Sequence, residues 1–316
     1  MADQFNKYAI FGGSRQVLVN VQDFRVLGGR FMVTKDYDDV VERHYRDEAI
    51  QHGLQPTSTM LDKTIREKET EAICHFVAES LRERKVAGIS GPATIMDVGC
   101  GNGYTLKTLH SHYPDEKFVG YDKCKELLEL AKSRFVKKEN VSIYEADIRH
   151  TNFSSGLKAD ILICQRVLIN IMNFNDQKDA LRNLISVMET PSSDRVAGTS
   201  VFIESFTTPL KNLNQARKEL DLPDIEPIYH NMYLEEEMFR RPELVPLQWE
   251  DECMAPNFLS THYFIARVIY PLLKNDRSIS RNSELVNFFV AALNKNIGDY
   301  SPLKVFIYKR SGVDSI

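Results

Sequence analysis

The sequence predicts an α/β protein: a mostly parallel sheet of about seven strands with helices on both faces. Three observations carry that expectation. Short apolar runs alternate with helical segments between residues 94 and 204. The first run opens onto Asp97-Val-Gly-Cys-Gly-Asn-Gly103, after which a periodic helical segment starts at Tyr104. An aspartate then closes each of the next two strands, at Asp122 and Asp147. Strand, tight glycine turn and helix place backbone N–H groups against a ligand. The βαβ alternation implies right-handed crossovers and a parallel sheet.

The elements follow in order. Residues 1–35 hold Gly12-Gly13 and Gly28-Gly29 as breakers, with short strands at 16–21 and 30–34. They form an arm without an assigned role, an edge hairpin or an oligomer contact among the alternatives. Residues 36–53 read as a helix with Tyr37, Val40, Val41, Tyr45 and Ala49 on one side. Thr59 with Asp62 fits a capping box for a second helix ending near residue 85. Strands follow at 94–98, 117–121, 141–146, 160–164 and 200–204, with helices between them. Residues 206–245 read as a helical insertion broken by Pro209, Pro223, Pro227 and Pro242. A strand at 245–253, helices at 258–273 and 284–293, and a last strand at 304–309 complete the chain. The organisation is an arm (1–35), a helical segment (36–90), a core (91–205) and an insertion with the last strands (206–316).

Composition narrows the function. The 316 residues are 43% hydrophobic and 27% charged, ordinary for a globular protein. A net charge of −4 gives no basic surplus, so nucleic acid is not expected as the main partner. Five scattered cysteines form no Cys-x-x-Cys pair, no metal-ligand spacing stands out, and no metal is expected. No apolar run approaches the roughly 20 residues that span a bilayer, and no signal-peptide pattern opens the chain. The expectation is a cytoplasmic enzyme.

The glycine loop discriminates between cofactors. A dinucleotide fingerprint needs a glycine where Tyr104 stands, and a P-loop needs a Gly-Lys-Ser/Thr ending that is missing here. Asp97, two residues before the first glycine, would repel a pyrophosphate and attract a cation. This pattern resembles the first motif of class I, Rossmann-like S-adenosylmethionine (SAM)-dependent methyltransferases. The resemblance covers about residues 92–205. It implies a SAM site at Asp97, Gly99, Cys100, Gly101, Asn102 and Gly103. It further implies that Asp122, with Lys123 beside it, takes the ribose hydroxyls, and that Asp147 and Ile148 lie near the adenine. Gln165 and Arg166, after the fourth strand, fall in the crevice where the methyl group sits.

A second resemblance covers residues 59–69, Arg166–Ile171, Leu213–Arg217 and His230-Asn231. It points to a branch associated with surface-carbohydrate or secondary-metabolite biosynthesis. There the N-terminal helices form a lid, which implies that Arg66 holds the methionine carboxylate. Tyr45, Met60 and Asn170 are candidates to contact the acceptor, as are Asn214, Arg217, Asn231 and Tyr233. Tyr263 and Arg267 join them, four apart on one helical face. Candidate general bases are His230, Glu204 and His150. The expected activity is methyl transfer from SAM, leaving S-adenosylhomocysteine (SAH), to an O or N atom of a small molecule. The alternatives are an RNA or protein methyltransferase, an NAD-dependent oxidoreductase, and a non-catalytic scaffold; a homodimer is compatible with each.

Overall fold

The computed structural model describes residues 37–192, 195–249, 251–274, 277–280, 283–293 and 295–313, with the backbone of four strands before them. Those strands are β1 (Lys7–Phe11), β2 (Gln16–Asn20), β3 (Phe24–Leu27) and β4 (Arg30–Val33). They pair as two antiparallel hairpins, β1 with β2 and β3 with β4. The sequence reading found only β2 and β4, because Lys7–Phe11 shows no clean alternation of polarity. Gly12-Gly13, Gly28-Gly29, Val21, Thr34 and Asp36 lie outside the described residues.

Two helices precede the sheet. α1 (Tyr37–His52) has Asp38 and Asp39 in its first turn and His52 in its last, in accord with its dipole. α2 (Lys63–Val86) starts one turn later than the capping box suggested: Asp62 is the N-cap, its carboxylate accepting from Ile65 N at 3.1 Å.

The central sheet comprises β5 (Thr94–Val98), β6 (Lys117–Asp122), β7 (Val141–Glu145), β8 (Ile161–Gln165), β9 (Thr199–Ser205), β10 (Leu244–Pro246) and β11 (Leu303–Arg310). Its order is β10-β11-β9-β8-β5-β6-β7. β5 to β9 are parallel, whereas β11 runs antiparallel to both β9 and β10. The connections are α3 (Tyr104–His112), α4 (Lys125–Arg134), α5 (Phe174–Val187) and α6 (Thr207–Lys218). α7 (Ser260–Phe264) passes through a π turn (Ile265–Ile269) into α8 (Tyr270–Leu273), and α9 (Glu284–Ala292) follows.

Two expectations change here. The strand proposed at 245–253 stops at Pro246, since the chain then turns and Asp251 caps a short 3-10 turn. The insertion at 206–245 holds one α-helix, α6; Pro223 and Pro227 stand in irregular chain, and a proline there has no N–H for a helical hydrogen bond.

Strand periodicity decides which side chains reach the site. Ile95, Ile161, Ile163, Val201 and Ile203 pack on one face against Ile73 and Phe76 of α2. Met96, Leu162, Cys164 and Phe202 pack on the other against Leu181 and Leu184 of α5. Each fully buried large side chain contributes about 1.5–3 kcal/mol. Asp97 shares the face of Ile95, so an apolar strand in register directs one carboxylate toward α2. From β5 the chain moves outward one way to β6 and the other way to β8, which opens a crevice at their carboxyl ends.

Candidate cofactor crevice and acceptor cavity

The glycine loop is shaped by backbone demands. Gly99 (φ 74°) and Cys100 donate their N–H groups to Tyr121 O, at 2.7 and 3.0 Å, which ties the loop to β6. A Cβ on Gly99 would meet Val167 Cγ2 at 2.2 Å, so the loop after β8 can approach only a glycine. Gly101 (φ 54°) differs: a Cβ there meets nothing within 4 Å and would project into the crevice. Gly103 does not line the crevice. It caps α3 and packs against Ala131, a correction to its expected ligand contact.

Asp122 stands beside the loop. Its Oδ2 accepts from Gly101 N at 2.8 Å and its Oδ1 from Cys124 N at 2.9 Å, while burial pushes its pKa up. Asp147 is held differently. Arg149 Nε lies 3.0 and 3.1 Å from its two oxygens, and this guanidinium also donates to Asp38 of α1 at 3.1 and 2.8 Å. Against the cost of burial, those bonds keep the Asp147 pKa down at about 2. Lys123 stands 3.5 Å from Asp38 and 3.6 Å from Asp147. The network clasps α1 to the crevice where Ile148 lines it.

The opposite end is built from α2. Arg66 is buried, not on a solvated face. Its Nη1 donates to Gln165 Oε1 at 3.1 Å, and its Nη2 to Thr105 Oγ1 at 3.2 Å. Gln165 Nε2 donates in turn to the buried Glu69 at 2.7 Å. Arg166 takes a left-handed backbone (φ 56°), a strain of about 1–2 kcal/mol for a non-glycine residue. Its Nη1 donates to Thr59 O at 2.7 Å, and its Nε stands 3.1 Å from Glu69 Oε1. Among the described residues, Arg66 Nε and Asp97 Oδ2 have no hydrogen-bond partner although both are buried. Burial, with Asp122 adding to it against the pull of Arg66, raises the Asp97 pKa to about 7.

The segment between α1 and α2 closes over the loop. Asn102 Nδ2 reaches Gly53 O, Gln55 O and Ser58 Oγ at 2.9–3.1 Å, so this side chain pins the lid. Tyr45 OH accepts from Asn170 Nδ2 at 2.9 Å, and Asn170 Oδ1 is buried without a partner. His230 stacks on His44 with ring centroids 4.0 Å apart and lies 6.0 Å from the Tyr45 ring. Burial, with His44 and Arg166 adding to it, lowers its pKa to about 3, so it is neutral at neutral pH.

A second cavity of about 580 Å³ lies beyond the ends of β9 and β11. Tyr233, Tyr263 and Arg267 line it with Leu210 and Leu213 of α6. The Arg267 guanidinium carbon sits 3.8 Å from the Tyr263 ring centroid, as their spacing predicts.

Several expected site residues are located elsewhere. Asn214 clips the Ile225 backbone, donating to its O and accepting from its N at 3.0 and 2.9 Å. Arg217 is buried, donating to Pro223 O and Arg267 O. Met60 packs into the core, and Asn231 lines neither opening. Glu204 is fully buried, accepting from the N–H groups of Val167, Leu168 and Ile169 at 2.8, 3.0 and 3.3 Å; it anchors the loop after β8 and has no path to a substrate proton. His150 is exposed outside the crevice.

Sequence reasoning missed Glu69, Thr105, Asp38 and Arg149. The spacing of Arg66 and Glu69, three apart on the face that holds Ile73 and Phe76, is a usable signal for the first. It also missed His75, Asp251 and Cys253, whose potential metal-binding atoms lie within 4.8 Å of one another outside the crevice.

Comparison with known proteins agrees with this geometry. The family described as "Methyltransferase domain" matches residues 95–190. A malonyl-[acyl-carrier protein] O-methyltransferase of Acetivibrio thermocellus is 31% identical over 108 residues, which span 34% of this chain and 35% of that relative. The chain thus matches about a third of the length of that relative. Magnesium protoporphyrin IX methyltransferase from Synechocystis PCC 6803, solved with bound SAH, superposes with a TM-score of 0.50 at 11% identity, covering 87% of this chain and all of the other. An N-methyltransferase of Bradyrhizobium japonicum WM9, in complex with SAH, gives 0.48 at 11% identity over 87% and 98% of the two chains. The sheet and its glycine crevice define a Rossmann-like class I methyltransferase fold. Residues 95–190 are thus similar to a methyltransferase domain, on the fold that the SAH-bound enzyme of Synechocystis shares. No helix among the described residues is long and apolar enough to cross a membrane.

Proposed function

We propose that this chain moves a methyl group from SAM to an oxygen or nitrogen atom of a small molecule, a sugar or secondary-metabolite intermediate by the sequence reading. The observation that carries the proposal is a pair of buried, unpartnered groups: Arg66 Nε, whose residue lines the crevice, and Asp97 Oδ2, on the strand residue directly before the lining Val98 and Gly99. A guanidinium N–H and a carboxylate oxygen complement the carboxylate and ammonium of a methionine moiety. Gly101 leaves room for close approach, and Asp122 is the acid for the ribose hydroxyls. The residues therefore fit the cofactor. The five free thiols suit the reducing cytoplasm.

When bound, SAM supplies an electrophilic methyl on a sulfonium. The chain supplies alignment and dryness. The Asn102 contacts and the Asp38–Arg149–Asp147 clasp hold the lid over the crevice and exclude water. Asn170 Oδ1 is available to orient an acceptor O–H or N–H. His230 Nδ1 is buried without a hydrogen-bond partner on a neutral ring and lines neither opening, so, like Glu204 and His150, it is not placed to receive the acceptor's proton. Titration calorimetry tests the reading: tight SAH binding without a response to NAD is expected, whereas tight NAD binding without a response to SAH overturns it.

A further inference from the structure

The second cavity has a composition that a sugar site would not need. Its walls are largely aliphatic, including Leu210, Leu213, Ile225 and Ile228, and two tyrosines face it. Hydroxyl-rich ligands require many hydrogen-bonding groups. Of the two charged residues on this lining, Arg267 and Glu226, Arg267 is the cation and the more buried.

Arg267 stands at the centre of the π turn Ile265–Ile269. Such turns are rare and frequently sit at functional sites. The irregular backbone is supported from outside, since Arg217 donates to Arg267 O. The guanidinium is compensated only in part. Its side chain is 11% exposed, and Asp62 Oδ2 lies 3.8 Å from Nη2. That carboxylate is already engaged by Ile65 N and by His262, which stands 3.2 Å away. Arg267 Nη1 is buried with no hydrogen-bond partner. Glu226, the acid on the lining, is exposed.

We propose that this cavity receives the anionic end of the methyl acceptor, a carboxylic acid on an apolar, aromatic-sized body, its carboxylate taken by Arg267 while its reacting atom is oriented at Asn170 on the crevice. The inference rests on the methyltransferase reading and narrows its acceptor class. A buried guanidinium N–H left unmade is costly, and a charge-assisted bond to a carboxylate satisfies it. A monoanion suits the site better than a phosphate, because Asp62 and Glu226 oppose a second negative charge. Tyr263, stacked on the guanidinium, fixes its plane and offers a ring face to the apolar body.

The test uses 2-naphthoate and its neutral isostere 2-naphthamide, titrated by calorimetry into the full chain with SAH present and absent. The acid is expected to bind at least tenfold more tightly than the amide. In Arg267→Met that preference should vanish, while Arg267→Lys keeps part of it. SAH affinity, measured on every variant, reports whether the fold and crevice are intact. Equal binding of acid and amide, no binding of either, or a preference that survives Arg267→Met overturns the proposal. Loss of the methyltransferase reading looks different, since SAH itself would then fail to bind wild-type protein. Should Arg267→Met not fold, Tyr233→Trp, which fills the cavity, must weaken naphthoate and leave SAH unchanged.

Discussion

The two ends of the crevice are built on opposite principles. At the end near Asp147 every charge is matched: Asp38, Lys123, Asp147 and Arg149 form a closed network that joins lid to core. At the end near Asp97, one acid and one guanidinium N–H are buried with nothing to bond. The first arrangement holds a structure together. The second costs stability and makes sense only if a ligand with both signs of charge completes it. Unmatched polarity, more than the number of charges, marks where a ligand belongs.

The largest effect should come from Gly101→Val. Its side chain enters space that the crevice leaves open, so SAH affinity should fall by about 3 kcal/mol or more, over 100-fold by calorimetry. The fold itself should lose only about 1–2 kcal/mol from the left-handed backbone, read as a modest drop in melting temperature. Comparable losses in both would mean that Gly101 serves the fold and not the ligand.

Asp122→Ala comes next. Removing a charged hydrogen-bond partner should cost about 1–3 kcal/mol of SAH binding. Unchanged affinity would move the ribose site elsewhere.

The unmatched end also predicts a pH dependence. Without ligand, Asp97 titrates at about 7, raised by burial. An ammonium beside it favours the charged form, so binding below that pH must release a proton. SAH affinity should therefore rise as pH increases toward 7 and fall by up to about tenfold per unit below it. Asp97→Asn should flatten that profile.

The matched end gives the smallest effect. Arg149→Leu breaks a partly exposed ion network, worth about 0.2–1 kcal/mol and weakened by salt. It should quicken SAH release in stopped-flow measurements at low salt and matter little at high salt. A large, salt-independent loss would show that Arg149 contacts the ligand directly.

How much was legible in the sequence follows the same division. The glycine loop, Asp97, Asp122 and Gln165 could be read because each occupies a fixed place in a strand–turn–helix unit, and local backbone demands set those places. Glu69 and Thr105 could not, since they meet Arg66 and Gln165 only when α2 packs on the sheet. Asn214 and Arg217 misled because polar side chains in an insertion suggest a ligand, whereas irregular chain after α6 needs those same groups to satisfy its carbonyls. Glu204 misled similarly: a strand-end acid read as catalytic instead holds three N–H groups of the adjacent loop. Arg267 and Tyr263 were legible from their spacing, but the π turn that sets Arg267 into the cavity was not.

The most direct measurement compares SAH with 5′-methylthioadenosine, which lacks the amino-acid end. If Arg66 and Asp97 form a grip for that end, wild-type protein prefers SAH strongly, and Arg66→Met and Asp97→Asn each shrink the preference while leaving methylthioadenosine binding unchanged. A preference that persists in both variants, or equal binding of the two ligands to wild type, contradicts the account.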